Sequence, residues 1–427
     1  LKETATMDTN RSQAESSRRE PPAHDGTSSA DAELGVKTTL PLSKPLLAVM
    51  TVGAGAGIAN LYYNQPLLEQ MTADMHAGQA AIGLVPTLTQ IGYSLGMLLL
   101  VPLGDMLQRR RLVLLFTFLA ACMSVGTALS ASSTMLLIFS FLLGFTNMAP
   151  QLLIPFAAQL ATSAEKGRVV GFMLSGIFLG VLLSRTVAGF VGAAFGWRAM
   201  FALAAIILFA LVLTLGRVLP TTTPSYRGRY SGLLRSVWTL IREQPTLREA
   251  CLFGATLFGA FMVFWSSLIH LMVEAPFHLG PRAVGLYGIL GAGAALLSPI
   301  VGRAADRGSA RNVAGAMVLL TIASFGVFWF GRTSLFWIGI GVLGMDLGVQ
   351  LAHVSNQSRI LNLVADAQSR IQTAYMTSYF AGGGIGAAIG SWAWDRWGWA
   401  GTCSAAIAIL AIPLIRWLLP LRTATAS

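Results

Sequence analysis

Four polar residues inside one apolar segment, Asp346, Gln350, His353 and Gln357 in GVLGMDLGVQLAHVSNQ, recur at i, i+4, i+7 and i+11. That spacing places them on one face of a helix, so an acid, two amides and an imidazole point in one direction. Such a face can take up and release a proton at the carboxyl, relay it at the imidazole, and hydrogen-bond a polar solute at the amides. A second ionisable residue, Arg185, stands within GFMLSGIFLGVLLSRTVAGFVG. It lies about nine residues from the nearer end of its apolar run, roughly 13 Å along a helix axis. A charge at the centre of a membrane helix costs about 2.5–3.5 kcal/mol on the insertion scale, and it faces a cavity or a partner as a rule. Asp346 is the one acid at comparable depth in any apolar segment. The two are therefore expected to pair at the midplane, or to approach each other in one conformational state. The alternatives for Arg185 are hydrogen bonds to helix carbonyls or direct binding of an anionic solute; for the Asp346 stripe, a polar clamp between helices; for His353, a hydrogen-bonded core histidine.

Neutral polar residues extend the candidate cavity: Asn60, Tyr63 and Asn64 on one face of the first apolar segment, Gln90 in the second, and Asn147 and Gln151 at i, i+4 in the fourth. Trp265, near the middle of the seventh, offers an aromatic wall. These groups suit a solute with hydroxyl, amide or ring functions, and serve equally as hydrogen bonds between helices. Outside the apolar segments, Asp105 with Arg109 and Arg110 in PLGDMLQRRR, and Asp306 with Arg307 and Arg311 in GRAADRGSAR, form two acid-then-basic loops. They are candidate gate residues. Cys122, Cys251 and Cys403 lie far apart in apolar runs and read as packing residues, without disulfide or metal spacing. No zinc-ligand spacing, acid pair or activated nucleophile is found, and no Gly-rich Lys-Ser/Thr nucleotide loop. Neither an enzyme nor an ATP-driven pump is expected, and no cofactor beyond a proton gradient.

The elements that must position these residues follow from composition. Of 427 residues, 54% are hydrophobic and only 11% charged, against roughly 25% charged in soluble proteins. A window long enough for a bilayer core picks out twelve apolar segments, near 46–68, 81–103, 112–130, 134–160, 169–194, 198–218, 249–272, 282–303, 312–330, 334–357, 371–394 and 398–419. None alternates with period two, so they are read as helices and not as barrel strands. Basic residues concentrate in alternate loops, among them Arg109 to Arg111, Lys166, Arg168, Arg227, Arg229, Arg235, Arg242, Arg248 and Arg370, whereas the other side holds Arg198, Arg282, Arg332 and Arg396. The formal charge of +11 is thus mostly a positive-inside signature and gives no reason to expect nucleic acid as a partner. Residues 1–44 read as a disordered cytoplasmic tail without a cleavable signal, 219–248 as a basic cytoplasmic linker, and 421–427 as a second cytoplasmic tail. Between them lie two expected six-helix bundles, 45–218 and 249–420. These halves echo each other: Asp105 and Asp306, and Trp197 in FGWRAMF and Trp399 in WGWAGTC, repeat at an offset of about 200 residues. Parallel duplication of that kind occurs in secondary transporters, whose sites lie near the midplane between repeats.

Over residues 46 to 420 the chain resembles the major facilitator superfamily, and within it the bacterial twelve-helix drug/proton antiporter branch. Three features carry the resemblance. The first is the pair of acid-then-basic loops: the copy at Asp105 keeps Arg109 and Arg110 but has Val101 and Met106 at two earlier positions of the pattern, and the copy at Asp306 keeps Gly302, Arg307 and Arg311. The second is the glycine-rich fifth segment, which looks like the branch's antiporter signature but lacks its Pro and carries Arg185. The third is NLYYNQPLL at 60–68, similar to the first segment of a subgroup of bacterial efflux-type members. The resemblance implies an all-α membrane fold of two pseudo-symmetric bundles, a bacterial inner-membrane location and a monomer. It also implies a tenth helix lining the central cavity, and contacts between halves through segments 5 and 8 and segments 2 and 11. The glycines Gly176 and Gly180, Gly285, Gly288 and Gly291, and Gly382, Gly386 and Gly390 are expected to form those small sliding faces.

The function expected on these grounds is export of a small organic solute by alternating access, driven by protons taken up outside and released inside. Burial favours the neutral form of a carboxyl and a nearby guanidinium the ionised form, so a rocking motion that changes the Asp346 to Arg185 spacing would exchange protons. A symporter or facilitator importing a polar metabolite is the second transport reading, and a non-transporting membrane receptor the reading from another class.

Overall fold

The computed structural model describes residues 42–162, 165–221, 229–291, 309–360, 363–364 and 367–419. The tail 1–41, most of the eighth predicted span, and Asp306 and Arg307 lie outside the described residues. Among the described residues every regular element is helical. Among the described residues, nine helices are long and apolar enough to cross a membrane, and Lys44–Ala59 is a shorter apolar helix. One of the nine, Arg370–Leu418, contains the last two predicted spans, which divide at Gly398 with φ +57°. The eighth span is described only over 281–291.

The repeat seen in the sequence is a repeat of turns and end contacts. Gly196, with φ +82°, separates Lys166–Phe195 from Trp197–Val218 just as Gly398 separates the last two spans. Only a residue without Cβ adopts such a φ cheaply, and in both halves the tryptophan follows directly. The Trp197 indole donates to Asp74 Oδ2 at 3.0 Å and the Trp399 indole to the Phe328 carbonyl at 2.9 Å. At the basic side, Arg110 donates to the Gly216 carbonyl, and Arg311, about 200 residues on, donates to the carbonyls of Arg416 and Leu419 at 3.1 and 2.9 Å. In each half an arginine of the third helix satisfies carbonyls left open at the end of the sixth.

Two predicted spans are not continuous helices. The first stops at Ala59, turns through 60–64, and resumes as a 3-10 turn, Gln65–Leu67, and a helix, Leu68–Met75. The fourth consists of Ser133–Thr146 and Ala149–Leu160, broken at Asn147 and Met148. Prolines just inside the second pieces, Pro66 and Pro150, cannot donate to a preceding turn. The breaks touch: the Gly57 carbonyl accepts from the Asn147 side chain at 2.7 Å and from the Asn60 backbone at 3.2 Å. A Cβ on Gly57 would strike the Pro150 ring. Backbone freed by each break is thereby satisfied inside the protein, as irregular backbone at membrane depth must be.

Glycines set which helices approach, and their partners differ in part from those expected. A Cβ on Gly180 would run into the backbone of Gly55, and one on Gly55 into the Gly176 carbonyl, so these glycines join spans 1 and 5 within the first half. Gly382, Gly386 and Gly390 face Ala255, Gly259 and Val263 of span 7, within the second half. Between the halves, Gly285 and Gly288 do lie on span 5, at Leu182, Arg185 and Thr186, as expected, and the other contacts use further residues of the same helices. Thr186 donates to the Gly285 carbonyl at 2.8 Å, Gly189 lies against Pro281, Ser94 donates to the Thr377 carbonyl at 2.9 Å, and Gly384 packs on Ile91. Spans 5 with 8 and 2 with 11 do meet across the halves. The closest glycine packing instead makes each half rigid.

The linker ends in a helix, Tyr230–Glu243. It buries Leu233, Val237 and Leu240 beside Leu247, Ile371, Ala374 and Tyr375, and the Tyr230 hydroxyl donates to the Leu99 carbonyl. The linker thus holds helix ends of both halves at the basic side.

Candidate functional site

A cavity lies between the two halves and extends toward the basic side at Gln357 and Gln372. It is walled by Ile58 and Tyr62 of span 1, Gln151 and Ile154 of span 4, Leu174 to Leu182 of span 5, Phe258 and Phe261 of span 7, the stripe Asp346, Val349, Gln350, His353 and Gln357 of span 10, and Gln372, Met376, Tyr379 and Phe380 of span 11. The whole predicted stripe therefore faces one space. Its amide and imidazole end is tied down: His353 lies 3.0 Å from the Tyr375 hydroxyl through Nδ1 and 2.9 Å from the Gln357 amide through Nε2. Tyr379 packs on the imidazole at 4.8 Å between ring centres. With both ring nitrogens engaged, His353 is oriented and fixed in the wall.

At the inner end, Asp346 is 2% exposed and neither carboxyl oxygen has a hydrogen-bond partner. Its place depends on Gly291, where a Cβ would touch Asp346 Oδ2. Arg185 is fully buried nearby. Its Nε donates to Gln65 Oε1 at 2.7 Å and its Nη1 to the Val181 carbonyl at 3.2 Å, while Nη2 has no partner. Three rings cage the guanidinium, Trp265 at 4.1 Å, Tyr62 at 5.0 Å and Phe261 at 5.3 Å. Desolvated cation–π contacts of this kind contribute about 2 kcal/mol or more. Arg185 and Asp346 lie against Gly288 and Gly291, one turn apart on span 8, but no ion pair joins them. The expected midplane pair is thus an approach and not a contact in this conformation. The guanidinium is held by Gln65 and the rings instead.

The remaining candidates divide between wall and frame. Gln151 lines the cavity and donates to the Tyr93 hydroxyl at 3.0 Å, and Gln350 lines it beside Asp346. Asn60 donates to Ser124 at 3.0 Å, Asn64 to Thr89 at 3.3 Å, and Asn147 to Gly57, each a bond between helices. Gln90 is buried, and Tyr63 is buried while its neighbour Tyr62 reaches the cavity. Trp265 contacts Arg185 rather than forming open wall.

Three residues outside the sequence reading are central. Gln65 joins Arg185 to span 7, its amide donating to Met262 Sδ at 3.3 Å. Glu69, one helical turn on, pairs with His270 of span 7, which stacks on Trp394 at 5.4 Å. Gln70 and Asp74, on another face of the same short helix, bond to Gly192, Trp197 and Arg198 of the first half. The segment 65–75 is thus fastened to its own half by one face and clasped to the other half by Gln65 and Glu69, closing the side opposite the basic loops. The third residue, Glu249, is buried and accepts from Arg311 at 2.9 Å and from Arg359 at 3.1 Å. In the other loop, Arg109 binds Asp105 at 2.9 Å and Gln159 at 2.8 Å. Both acid-basic sets tie neighbouring helix ends within one half. A pairing rule based on the Asp-Arg loops alone misses Glu249, because the acid comes from the start of span 7.

Broken helices beside a largely apolar cavity with a polar stripe, and two halves joined across it, are the architecture of a secondary transporter, and the comparisons with known proteins agree. The sequence pattern of the Major Facilitator Superfamily matches residues 46–387. The "Uncharacterized transporter YgaY" of Escherichia coli O157:H7 is 38% identical over 376 residues, covering 88% of this chain and 95% of that protein. A Streptomyces coelicolor protein named "Probable transporter SCO4007" is 32% identical over 396 residues, covering 92% and 89%. The crystal structure of peptide transporter POT in complex with sulfate superposes with a TM-score of 0.70 at 14% identity, over 87% of this chain and 92% of that one, a likeness of fold. A multi-pass all-helical membrane protein with this cavity and these relatives is a transporter and not an enzyme, and the chain belongs to the major facilitator superfamily.

Proposed function

We propose that the chain exports a small organic solute in exchange for protons by alternating access, with Asp346 as the coupling residue. The observation that carries this reading is the Asp346 carboxyl, buried at the inner end of the cavity with both oxygens unpartnered. A carboxyl so placed is completed by a proton or by a polar group of the solute, and the two exclude each other. Its supports, Gly291 from span 8 and Arg185 from span 5, belong to different halves. A rocking of the halves therefore changes what surrounds the carboxyl.

The positive-inside rule puts the basic loops in the cytoplasm. The cavity of this conformation then loads from the cytoplasm, while the Glu69–His270 clasp shuts the outer side. The test is solute flux in inverted vesicles under an imposed pH gradient. Uptake into vesicles with an acidified lumen should follow the gradient in the wild type and stop in Asp346→Asn. Flux that ignores the gradient in the wild type, or survives unchanged in Asp346→Asn, removes the proton from the mechanism.

A further inference from the structure

We infer that Asp346 and Arg185 are the two ends of a receptor for a zwitterion of amino-acid size, an apolar α-amino acid or close relative. This rests on the reading of Asp346 as the coupling residue and names what competes there with the proton. Asp346 offers two open acceptor sites and Arg185 an open Nη2, and both side chains are almost wholly removed from solvent. Gly288, whose Cβ would meet Arg185, and Gly291, whose Cβ would meet Asp346, are one turn apart on span 8, so the two side chains are neighbours, yet no ion pair closes the gap. Two opposite charges with open valences, one from each half, form an incomplete set.

Charge balance decides what completes it. An organic cation alone would displace the proton from Asp346 and leave Arg185 as an uncompensated buried charge; an anion alone would pair with Arg185 but leave the proton on Asp346, and so would not compete with it. A molecule with an ammonium and a carboxylate pairs with both, and the site, which carries one positive charge while Asp346 holds its proton, becomes neutral as that proton leaves. The indole N–H of Trp265, buried as well, is directed at the Asp346 carboxyl and helps hold it in place. Tyr62 and Phe261 line the cavity on one side and cover the guanidinium on the other. A carboxylate reaches Arg185 when these rings part. The rest of the inner wall, Phe258, Tyr379 and Phe380, is aromatic and fits an apolar side group. In the exchange no covalent bond to carbon changes: the ligand ammonium takes the place of the proton on Asp346, and that proton leaves through the cavity to the basic side.

The test uses purified full-length protein at fixed pH with no gradient, so it reads binding apart from coupling. Binding of L-leucine, L-methionine, L-phenylalanine and L-tryptophan is measured by calorimetry, alongside L-phenylalanine methyl ester, which keeps only the ammonium, and N-acetyl-L-phenylalanine, which keeps only the carboxylate. At least one amino acid should bind, and the zwitterion should bind about tenfold or more tighter than its singly charged analogues. Asp346→Asn should erase its advantage over the N-acetyl compound, and Arg185→Met its advantage over the ester. The wild-type series stands by itself if Arg185→Met does not fold. An ester that binds as well as the amino acid, an N-acetyl compound that does so, or no binding of any amino acid overturns the inference. In any of these cases gradient-driven flux that stops in Asp346→Asn would still leave the coupling role in place.

Discussion

In the proposed cycle, opening the side opposite the basic loops, taken as the outer one, must break the clasp between Glu69 and His270, so weakening that clasp should raise the outward-open population. The side chains are 22% and 5% exposed, and the pair crosses between halves over 201 residues of sequence. A hydrogen bond involving a charged group contributes about 1.5–3 kcal/mol, and a neutral one about 1 kcal/mol. Glu69→Gln keeps an acceptor of the same shape and removes the charge, a loss of roughly 1–1.5 kcal/mol and about tenfold in the closed-to-open ratio. Ser266 is one turn inward of His270 on the same helix and fully buried, which makes Ser266→Cys a reporter for water reaching past the clasp. With Cys122, Cys251 and Cys403 replaced, a membrane-impermeant thiol reagent added from the outer side should label the reporter about tenfold faster in Glu69→Gln than in the parent. Exchanging the pair, Glu69→His with His270→Glu, should return labelling toward the parental rate. Equal rates in parent and Glu69→Gln would mean that the outer side is held shut by packing alone, and the clasp would have no gating role.

Glu249 is the acid shared by Arg311 and Arg359, and its side chain is 1% exposed. Glu249→Gln leaves two guanidinium groups facing an amide, and breaking such a pair costs about 3–5 kcal/mol when fully buried; with both arginines partly hydrated, about 2–3 kcal/mol is expected in detergent unfolding, and a change under about 0.5 kcal/mol would refute it. Gly180→Ala places a methyl against the Gly55 backbone, which cannot rotate aside, so it should destabilise by about 1–3 kcal/mol. Gly171→Ala, on the same helix with nothing near its Cβ, should be neutral or stabilising by up to about 1 kcal/mol, and equal thermal shifts for the two would contradict the packing assigned to spans 1 and 5.

The helical membrane class, the repeat and the polar stripe of span 10 were legible because each is written in a short-range code. Apolar length marks a span, a Gly-Trp pair marks the turn between two spans, and i, i+4, i+7, i+11 marks a face. The face survives in the structure because Leu335–Ile360 is one unbroken helix. Spans 1 and 4 show where that code fails. Projecting NLYYNQPLL on a continuous helix groups Asn60, Tyr63 and Asn64, but the turn at 60–64 resets the angular register. Tyr62 then faces the cavity and Gln65 faces Arg185. Pro66 and Pro150 were the available signals of the breaks. Apolar windows cannot register them, since a broken span stays as hydrophobic as a whole one.

The same distinction explains why Arg185 was found and its partner was not. A charge in an apolar run is costly enough to be conspicuous by itself, and the nearest acid at matching depth was the natural candidate. Depth along a helix says nothing of angle about it. In the structure Arg185 turns toward Gln65 and three rings, which stabilise a guanidinium without cancelling its charge. That choice of partners has a mechanical consequence. Gln65 and Arg185 belong to one half and move together with segment 65–75, which Gln70 and Asp74 fasten to that half. Met262 and Asp346 belong to the other. Any motion that pulls Gln65 from Met262 therefore also displaces Arg185 relative to Asp346, so in the proposed cycle the closure opposite the basic loops and the charge at the inner end of the cavity move as one.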